Sequence, residues 1–375
     1  MAKFKVLHVV NSLDPGGMEN GVVNMIWKLR DDFQFKVACL ERAGKFSERL
    51  PDPGQVKILG KKGGFSPNAV LELALEISRF KPDAIHTHNL GPLIYASLAT
   101  MGGFTKPIVH GEHSQLTGEE LTSRRIRQRH LLYKCCRKVH TVSYSQREEL
   151  LANGFSSIST VVNGVDTERF LPGSNEAAKG QLGFQPDEIV MGIVGRFGPF
   201  KRHSVLLESF NAIANDFPKL QLLIVGAGGP EESRVKEQVQ QSVWKNRIRL
   251  VGYQKEPVDF YQAMDFLIVP SLNEGLSNAV LEAKACGIPV LAHTACGNEE
   301  VIENGCDGII ADLATKESIA IGVKAFLVQR NHFPVWSSNA RERAVRLFSM
   351  ESMTQAYRVL YQSVLVKTRK GFHSL

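Results

Sequence analysis

What most constrains the fold of this chain is an alternation. Short apolar, β-rich runs take turns with helix-length amphipathic segments along nearly the whole sequence, in two successive series. In the first series the runs are 5–10, 35–40, 56–59, 84–87, 107–110, 139–143 and 159–162, with helical patterns over 18–30, 67–80, 91–102, 121–137 and 145–153. In the second they are 189–195, 220–226, 248–252, 266–269, 288–292 and 307–311, with helical patterns over 202–216, 230–243, 256–263, 276–286, 298–303 and 316–330. Runs apolar on both sides need cover on both faces, and a helix between successive strands makes the strands parallel. The expectation is an α/β protein with two doubly wound, Rossmann-like sheets, each able to hold a ligand at the carboxyl ends of its strands. A length of 375 residues agrees, because it exceeds what one core usually serves. The domains expected are 1–168, a linker over 169–187 that is rich in proline and glycine, 188–350, and a final helical segment over 351–375.

Other classes are set aside by the same reading. No run approaches the ~18–20 apolar residues of a membrane-spanning helix, and the opening MAKFKVLHVV reads as a strand and not as a signal peptide. A cytoplasmic protein is expected. Six cysteines without a C-x-x-C pair read as reduced thiols with no metal site.

The stretch with the most chemistry is PSLNEGLSNAVLE, 270–282, which sits between the runs 266–269 and 288–292. A helix beginning near Leu276 aims its unsatisfied N–H groups and positive dipole end at the space beside Glu274, which makes an anion site. Glu282, eight residues after Glu274, is placed to accept hydrogen bonds from paired hydroxyls. A capped helix with one surface glutamate is the plain alternative. The segment GRFGPFK, 195–201, sets two cations, Arg196 and Lys201, five apart at a strand end, where they can stabilise a concentrated negative charge; a solvated pair on a loop is the plain alternative. The chain contains no D-x-D, so no two-carboxylate metal clamp is evident.

Five segments in order carry a resemblance: NGVDTERF (163–170), GRFGPFK (195–201), VGAGGPEE (225–232), EGLSNAVLEAKACGIPV (274–290) and GNEEVIENGCDGII (297–310). Together they resemble the large retaining family of GT-B glycosyltransferases with an E-x7-E motif (GT4-like, group 1), and most of all its bacterial exopolysaccharide and cell-envelope members. The resemblance implies two Rossmann-like domains facing a central cleft, with the acceptor on the first and a nucleotide diphosphate sugar on the second. It also implies that the last helix crosses back to the first domain. On these positions Glu282 would bind the ribose and Glu274 the donor sugar. Gly195, Arg196 and Lys201 would hold the diphosphate, with Gly275 and the backbone of Leu276, Ser277 and Asn278 beside them. Tyr253 would frame the base, for which uracil is the family's commonest choice; the other reading of Tyr253 is a half-buried core residue. Arg202 departs from the pattern, which often has glycine there.

In the first domain Gly16 and Gly17, in LDPGGMENG, would lie under the diphosphate, with Glu19 and Asn20 close by on the acceptor side. His113 matches the family's histidine that contacts the donor sugar. His88 either lines the acceptor side or is an internally satisfied strand-end histidine. No carboxylate nucleophile is evident, so the resemblance implies a front-face retaining route without cofactor or metal.

The segment 124–138 holds seven Lys or Arg and no acid. Arg124, Arg125, Arg127 and Arg129 form either the outer face of a helix whose stripe Leu131, Leu132, Cys135, Cys136 is buried, or a surface for an anionic membrane carrying a lipid-linked acceptor. A single aromatic and no recognised module argue against nucleic acid. Three other readings stand beside the transferase: a GT-B epimerase, a silent sugar-nucleotide binder, and a nicotinamide-dependent oxidoreductase. PGGMENG lacks the G-x-G-x-x-G spacing that the last would need.

Overall fold

The computed structural model describes residues 3–113, 116, 118–272, 276–294 and 296–370, without the side chains of 53, 119, 296 and 365–370. Among the described residues, thirteen strands form two all-parallel sheets. The first has the order β3-β2-β1-β4-β5-β6-β7, built from β1 (Phe4–Val10), β2 (Phe33–Cys39), β3 (Val56–Ile58), β4 (Ala84–His88), β5 (Ile108–Glu112), β6 (Cys136–Thr141) and β7 (Ile158–Thr160). The second has the order β10-β9-β8-β11-β12-β13, built from β8 (Ile189–Val194), β9 (Leu220–Val225), β10 (Ile248–Leu250), β11 (Phe266–Val269), β12 (Val290–His293) and β13 (Gly308–Ala311). In each sheet the order reverses beside the first strand, at β1/β4 and at β8/β11. The loops leaving those pairs are where an open parallel sheet takes its ligand.

Two compact units result, 1–163 with 351–375 and 164–350. The stretch 169–187, expected as a linker, belongs to the second unit and carries the helix Asn175–Gln181, capped by the Ser174 side chain. Lys179 of that helix is buried; it pairs with Asp265 at 2.8 Å and donates to the Glu188 carbonyl at 2.7 Å. Glycine and proline signal a break in local pattern, but they do not reveal a buried ion pair made across the fold.

Strand periodicity sorts the first sheet's side chains. Leu7, Val9, Ile85 and Ile108 pack with Leu73 and Leu93 of the helices Pro67–Phe80 and Leu90–Ala99. The alternate positions face the other way: His86 and His140 meet Tyr357, and His86 also Tyr361, of the terminal helix Met350–Lys370, while His8 lies beside His86. Arg358 of that helix binds Asp32 at 2.8 Å, and Tyr361 packs edge-on against Phe33. The second core gathers Met191, Phe197, Phe210, Phe266 and Trp336.

One expected helix is shorter than its pattern. The segment 121–137 forms a helix only over Ser123–Tyr133, and Cys136 already opens β6, opposite Ile108. Pairing in the sheet overrides local propensity there. The expected buried stripe therefore breaks up: Leu131 is 69% exposed, and Cys135 lies beyond the helix.

Candidate functional site

In the second unit the two loops at the β8/β11 reversal carry the residues in question. After β8 the chain enters the turn 195–201, where Gly195 has φ 156° and the Lys201 stem lies 3.6 Å from where its Cβ would be. Arg196 at the tip is exposed and Lys201 half-buried. The second glycine-rich loop holds this turn in place. Phe197 N–H donates to the Gly228 carbonyl at 2.8 Å, and Glu231 N–H donates to the Phe197 carbonyl at 3.0 Å. A Cβ on Gly226 would collide with the Gly195 carbonyl, and one on Gly229 with the Phe197 carbonyl. These glycines let two backbones touch.

Arg202 ends the turn in the left-handed region, φ 63° and ψ 34°, as N-cap of the helix His203–Ile213. A non-glycine residue there costs about 1–2 kcal/mol. Its guanidinium offsets this by donating to the Leu313 and Ala314 carbonyls at 2.6 and 2.7 Å. The departure from glycine thus ties the turn 195–201 to the loop after β13. Arg202→Ala, which keeps the strain and loses both bonds, should lower unfolding stability by about 2–3 kcal/mol in urea titration; a change under a few tenths would show the fork to be idle.

The loop after β11 joins the turn through the Leu272 N–H, which donates to the Phe200 carbonyl at 3.1 Å. Glu274 and Gly275 lie outside the described residues. The helix starts two residues later than expected, at Asn278, and runs to Ala285 with the buried Ser277 at its N-cap and Leu276 tucked in before it. Glu282, half-buried and about one turn along, accepts a 2.7 Å hydrogen bond from the Tyr261 hydroxyl. Tyr261 is fully buried and packs edge-on against Phe170 of the NGVDTERF segment. Burial, with the Glu282 carboxylate second, raises its pKa well above the usual phenol value, so it remains a donor. Nothing in the sequence marks Tyr261; only the turn geometry brings it under Glu282. Tyr253 follows β10 and is 46% exposed, so it is not a core residue.

In the first unit Gly16 caps the helix Gly17–Leu29 with extended backbone, and the Glu19 carboxylate folds over the space where a Gly16 side chain would stand. Asn20 N–H bonds the Gly16 carbonyl at 3.0 Å. His113 follows β5 and is half-buried; its backbone N–H donates to Asn89 Oδ1 at 2.8 Å. Desolvation first, then neighbouring imidazoles, bring its pKa down to about 3.

His88 is 1% exposed, with both ring nitrogens engaged, by His8 and by His113, at 2.9 Å each. It does not line a surface: the strand end turns it inward, and it is satisfied internally. His8, His86 and His88 bring one nitrogen apiece within 4.8 Å of one another, a spacing that a metal could bridge. Both His86 nitrogens, however, are already bonded, to Tyr361 and His140.

Arg129 does not belong to any outer basic face. It is 1% exposed, donates to Glu112 at 3.0 Å and to Glu120 at 2.5 Å, and shares Glu112 with the Tyr133 hydroxyl at 2.8 Å. Burial alone would raise the Glu112 pKa, but His110 and Arg129 bring it down to about 2. A buried carboxylate recruited the one arginine of the helix that faces the sheet. Arg124 and Arg127 are exposed, and Arg125 is half-exposed.

Residues 15–169 match the family described as Glycosyltransferase Family 4, and residues 174–343 match glycosyl transferases group 1. The chain belongs to the GT4-like group 1 glycosyltransferases. A D-inositol 3-phosphate glycosyltransferase of Saccharomonospora viridis is 32% identical over 226 residues, 57% of this chain and 52% of the relative, so the chain spans about half that relative's length. The Escherichia coli UDP-Gal:alpha-D-GlcNAc-diphosphoundecaprenol alpha-1,3-galactosyltransferase is 25% identical over 314 residues, 80% of each chain. Among solved structures, Anabaena HepE in complex with UDP and glucose superposes with TM-score 0.83 at 19% identity, covering 96% of this chain and 100% of that one. Sucrose-phosphate synthase of Thermosynechococcus elongatus gives 0.83 at 18%, covering 97% and 100%. These neighbours share the GT-B fold with this GT4-like chain.

Proposed function

We propose that this GT4-like protein is a retaining glycosyltransferase that moves a hexose from a UDP-sugar to a glycan or lipid-linked acceptor, without a metal. One observation carries the reading: the Arg196/Lys201 turn is hydrogen-bonded to the loop that leads into the Glu282 helix, at the strand-order reversal of the second sheet. The nucleotide choice draws support from the UDP complex of HepE and from the UDP-Gal named for the E. coli relative. Glu282 takes the ribose hydroxyls, Glu274 the sugar hydroxyls, Tyr253 stands at the base, and His113 contacts the sugar. The bond from the anomeric carbon to the diphosphate oxygen breaks while the acceptor oxygen bonds to that carbon on the same face. The acceptor's proton passes to the departing phosphate. Arg196 and Lys201 stabilise the charge that develops there.

Tyr261→Phe tests the Glu282 assignment with little disturbance of packing. Loss of a hydrogen bond to a carboxylate should weaken UDP binding by about tenfold in calorimetry, and unchanged affinity would contradict the role.

The acceptor side suits a membrane surface. Among the described residues no helix is long and apolar enough to cross a bilayer. The tip after the helix Leu90–Ala99 exposes Met101 at 75% and Phe104 at 95%. Its Gly103 lies against the Cys135 carbonyl, one turn beyond the exposed Leu131. Arg124, Arg127, Lys134, Arg137 and Lys138 of the neighbouring segment are exposed, and no acid lies between 121 and 138. Apolar insertion together with basic contacts, each worth about 1 kcal/mol, would hold the protein on anionic lipid. Replacing Arg124, Arg127 and Lys134 with Gln, and Phe104 with Ser, should release the protein from phosphatidylserine vesicles in sedimentation; equal sedimentation would remove the membrane from the proposal.

A further inference from the structure

The hydrogen bonds of the buried imidazoles can be given directions. His140 Nδ1 lies 3.2 Å from the Thr141 carbonyl, which only accepts, so His140 carries its proton on Nδ1 and presents a bare Nε2. His86 Nε2, 3.0 Å away, must then donate to it. That leaves His86 Nδ1 bare, to accept from the Tyr361 hydroxyl at 2.8 Å. This chain is closed at both ends by the protein.

The second chain is open. His8 Nδ1 meets His88 Nε2 at 2.9 Å, and His88 Nδ1 meets His113 Nε2 at 2.9 Å. Each neutral imidazole has one donor and one acceptor, so the three rings point their protons one way or the other as a unit. Pointing inward, the chain would end on an N–H at His8 Nε2, a buried atom without a partner beside the Phe35 ring. Pointing outward, it leaves only a lone pair at that atom. Orphaned buried N–H groups are the rarer and costlier case. The outward direction puts a proton on His113 Nδ1, on the one ring of the three that is not fully buried. Gly111 makes room for this arrangement: a Cβ there would stand 2.8 Å from His113 Nε2 and 2.9 Å from His140 Nε2.

We infer that His88, backed by His8, is a positioning residue that fixes His113 as the Nδ1–H tautomer, so that His113 meets the sugar nucleotide as a hydrogen-bond donor and not as a base. The inference rests on the proposed glycosyl transfer for its functional meaning; the tautomer itself is independent of that reading. Desolvation keeps the ring uncharged, with a pKa of about 3.

Nitrogen-15 NMR of the full chain labelled at histidine tests it, because protonated and bare imidazole nitrogens resonate far apart. The expected result is a protonated Nδ1 and a bare Nε2 on His113 in the unsubstituted protein near neutral pH. His88→Phe, which removes the donor, should let the Nε2–H tautomer appear. It should also slow UDP release from UDP-galactose or UDP-glucose by about a hundredfold while UDP affinity holds. His88→Gln, whose amide N–H can donate to His113 Nε2, should recover most of that rate. A proton on His113 Nε2 in the unsubstituted protein overturns the inference whether or not the Phe variant folds. An unchanged rate in a folded Phe variant that still binds UDP removes the positioning role. Failure of the unsubstituted protein to bind UDP, with the Nδ1–H tautomer present, would instead count against the transferase reading.

Discussion

Acidification to about pH 5 should bring the first unit to the edge of unfolding. Five of its histidines are held neutral by burial. His8 and His113 have pKa values lowered to about 3, His140 to about 4, and His86 and His88 well below the ordinary value. In the unfolded chain each titrates near 6.5. Below that pH the unfolded state therefore binds more protons than the folded one. Stability is intact above about 6.5 and falls as the pH drops toward the folded-state values. At about pH 5 the linkage is worth roughly 2 kcal/mol for each histidine, which over the group is comparable to the whole stability of a typical domain. Urea unfolding followed by hydrogen exchange within the first sheet should show a midpoint that collapses between about pH 7 and pH 5. A flat profile would mean that these rings are solvated or charged in the folded protein. His8→Leu should remove one histidine's share of the pH dependence.

The second large effect is on turnover. In the proposed transfer, Arg196→Ala and Lys201→Ala should each lower the rate of sugar transfer, or of UDP-sugar hydrolysis, by about a hundred- to a thousandfold, because each would remove a cation from where the diphosphate charge is proposed to develop. Both variants should fold, since the turn is fixed by backbone bonds from Phe197 and Glu231 and by the Arg202 fork, not by these two side chains alone. Loss in the rate constant with little change in UDP-sugar affinity is the expected split, because the demand is greatest as the bond breaks. A pure affinity effect would assign the two cations to ground-state binding.

What the sequence revealed follows the physics of each feature. The alternation of strands with helices was largely legible, and the thirteen strands among the described residues fall where the apolar runs lie, but the helices Asn175–Gln181 and Phe333–Leu347 were not read. The segments that became the β8 and β11 loops could be read because glycine, arginine, lysine and glutamate sit there at characteristic spacings. Two features were not legible. Arg129 and Arg124 look alike in sequence, and only the neighbouring Glu112 decides that one is buried. Tyr261 reaches Glu282 across two elements, with no spacing to announce it. The imidazole array did leave a trace: KVLHVV, AIHTH, IVHGEH and VHTVS each carry a histidine near the strand end. In register, His8 stands opposite His86, and Gly111 opposite both His88 and His140. Aligning the strands by their carboxyl ends would have found it.

The most direct test of the central claim is thermal unfolding with UDP, with chelator present, in the unsubstituted protein and in Glu282→Ala. UDP at about a hundred times its dissociation constant should add roughly 2.7 kcal/mol to the folded state. That gain should appear in the unsubstituted protein, undiminished by chelator, and be lost in Glu282→Ala. No gain with UDP, or an equal gain in the variant, would contradict a nucleotide site built on the Arg196/Lys201 turn and the Glu282 helix.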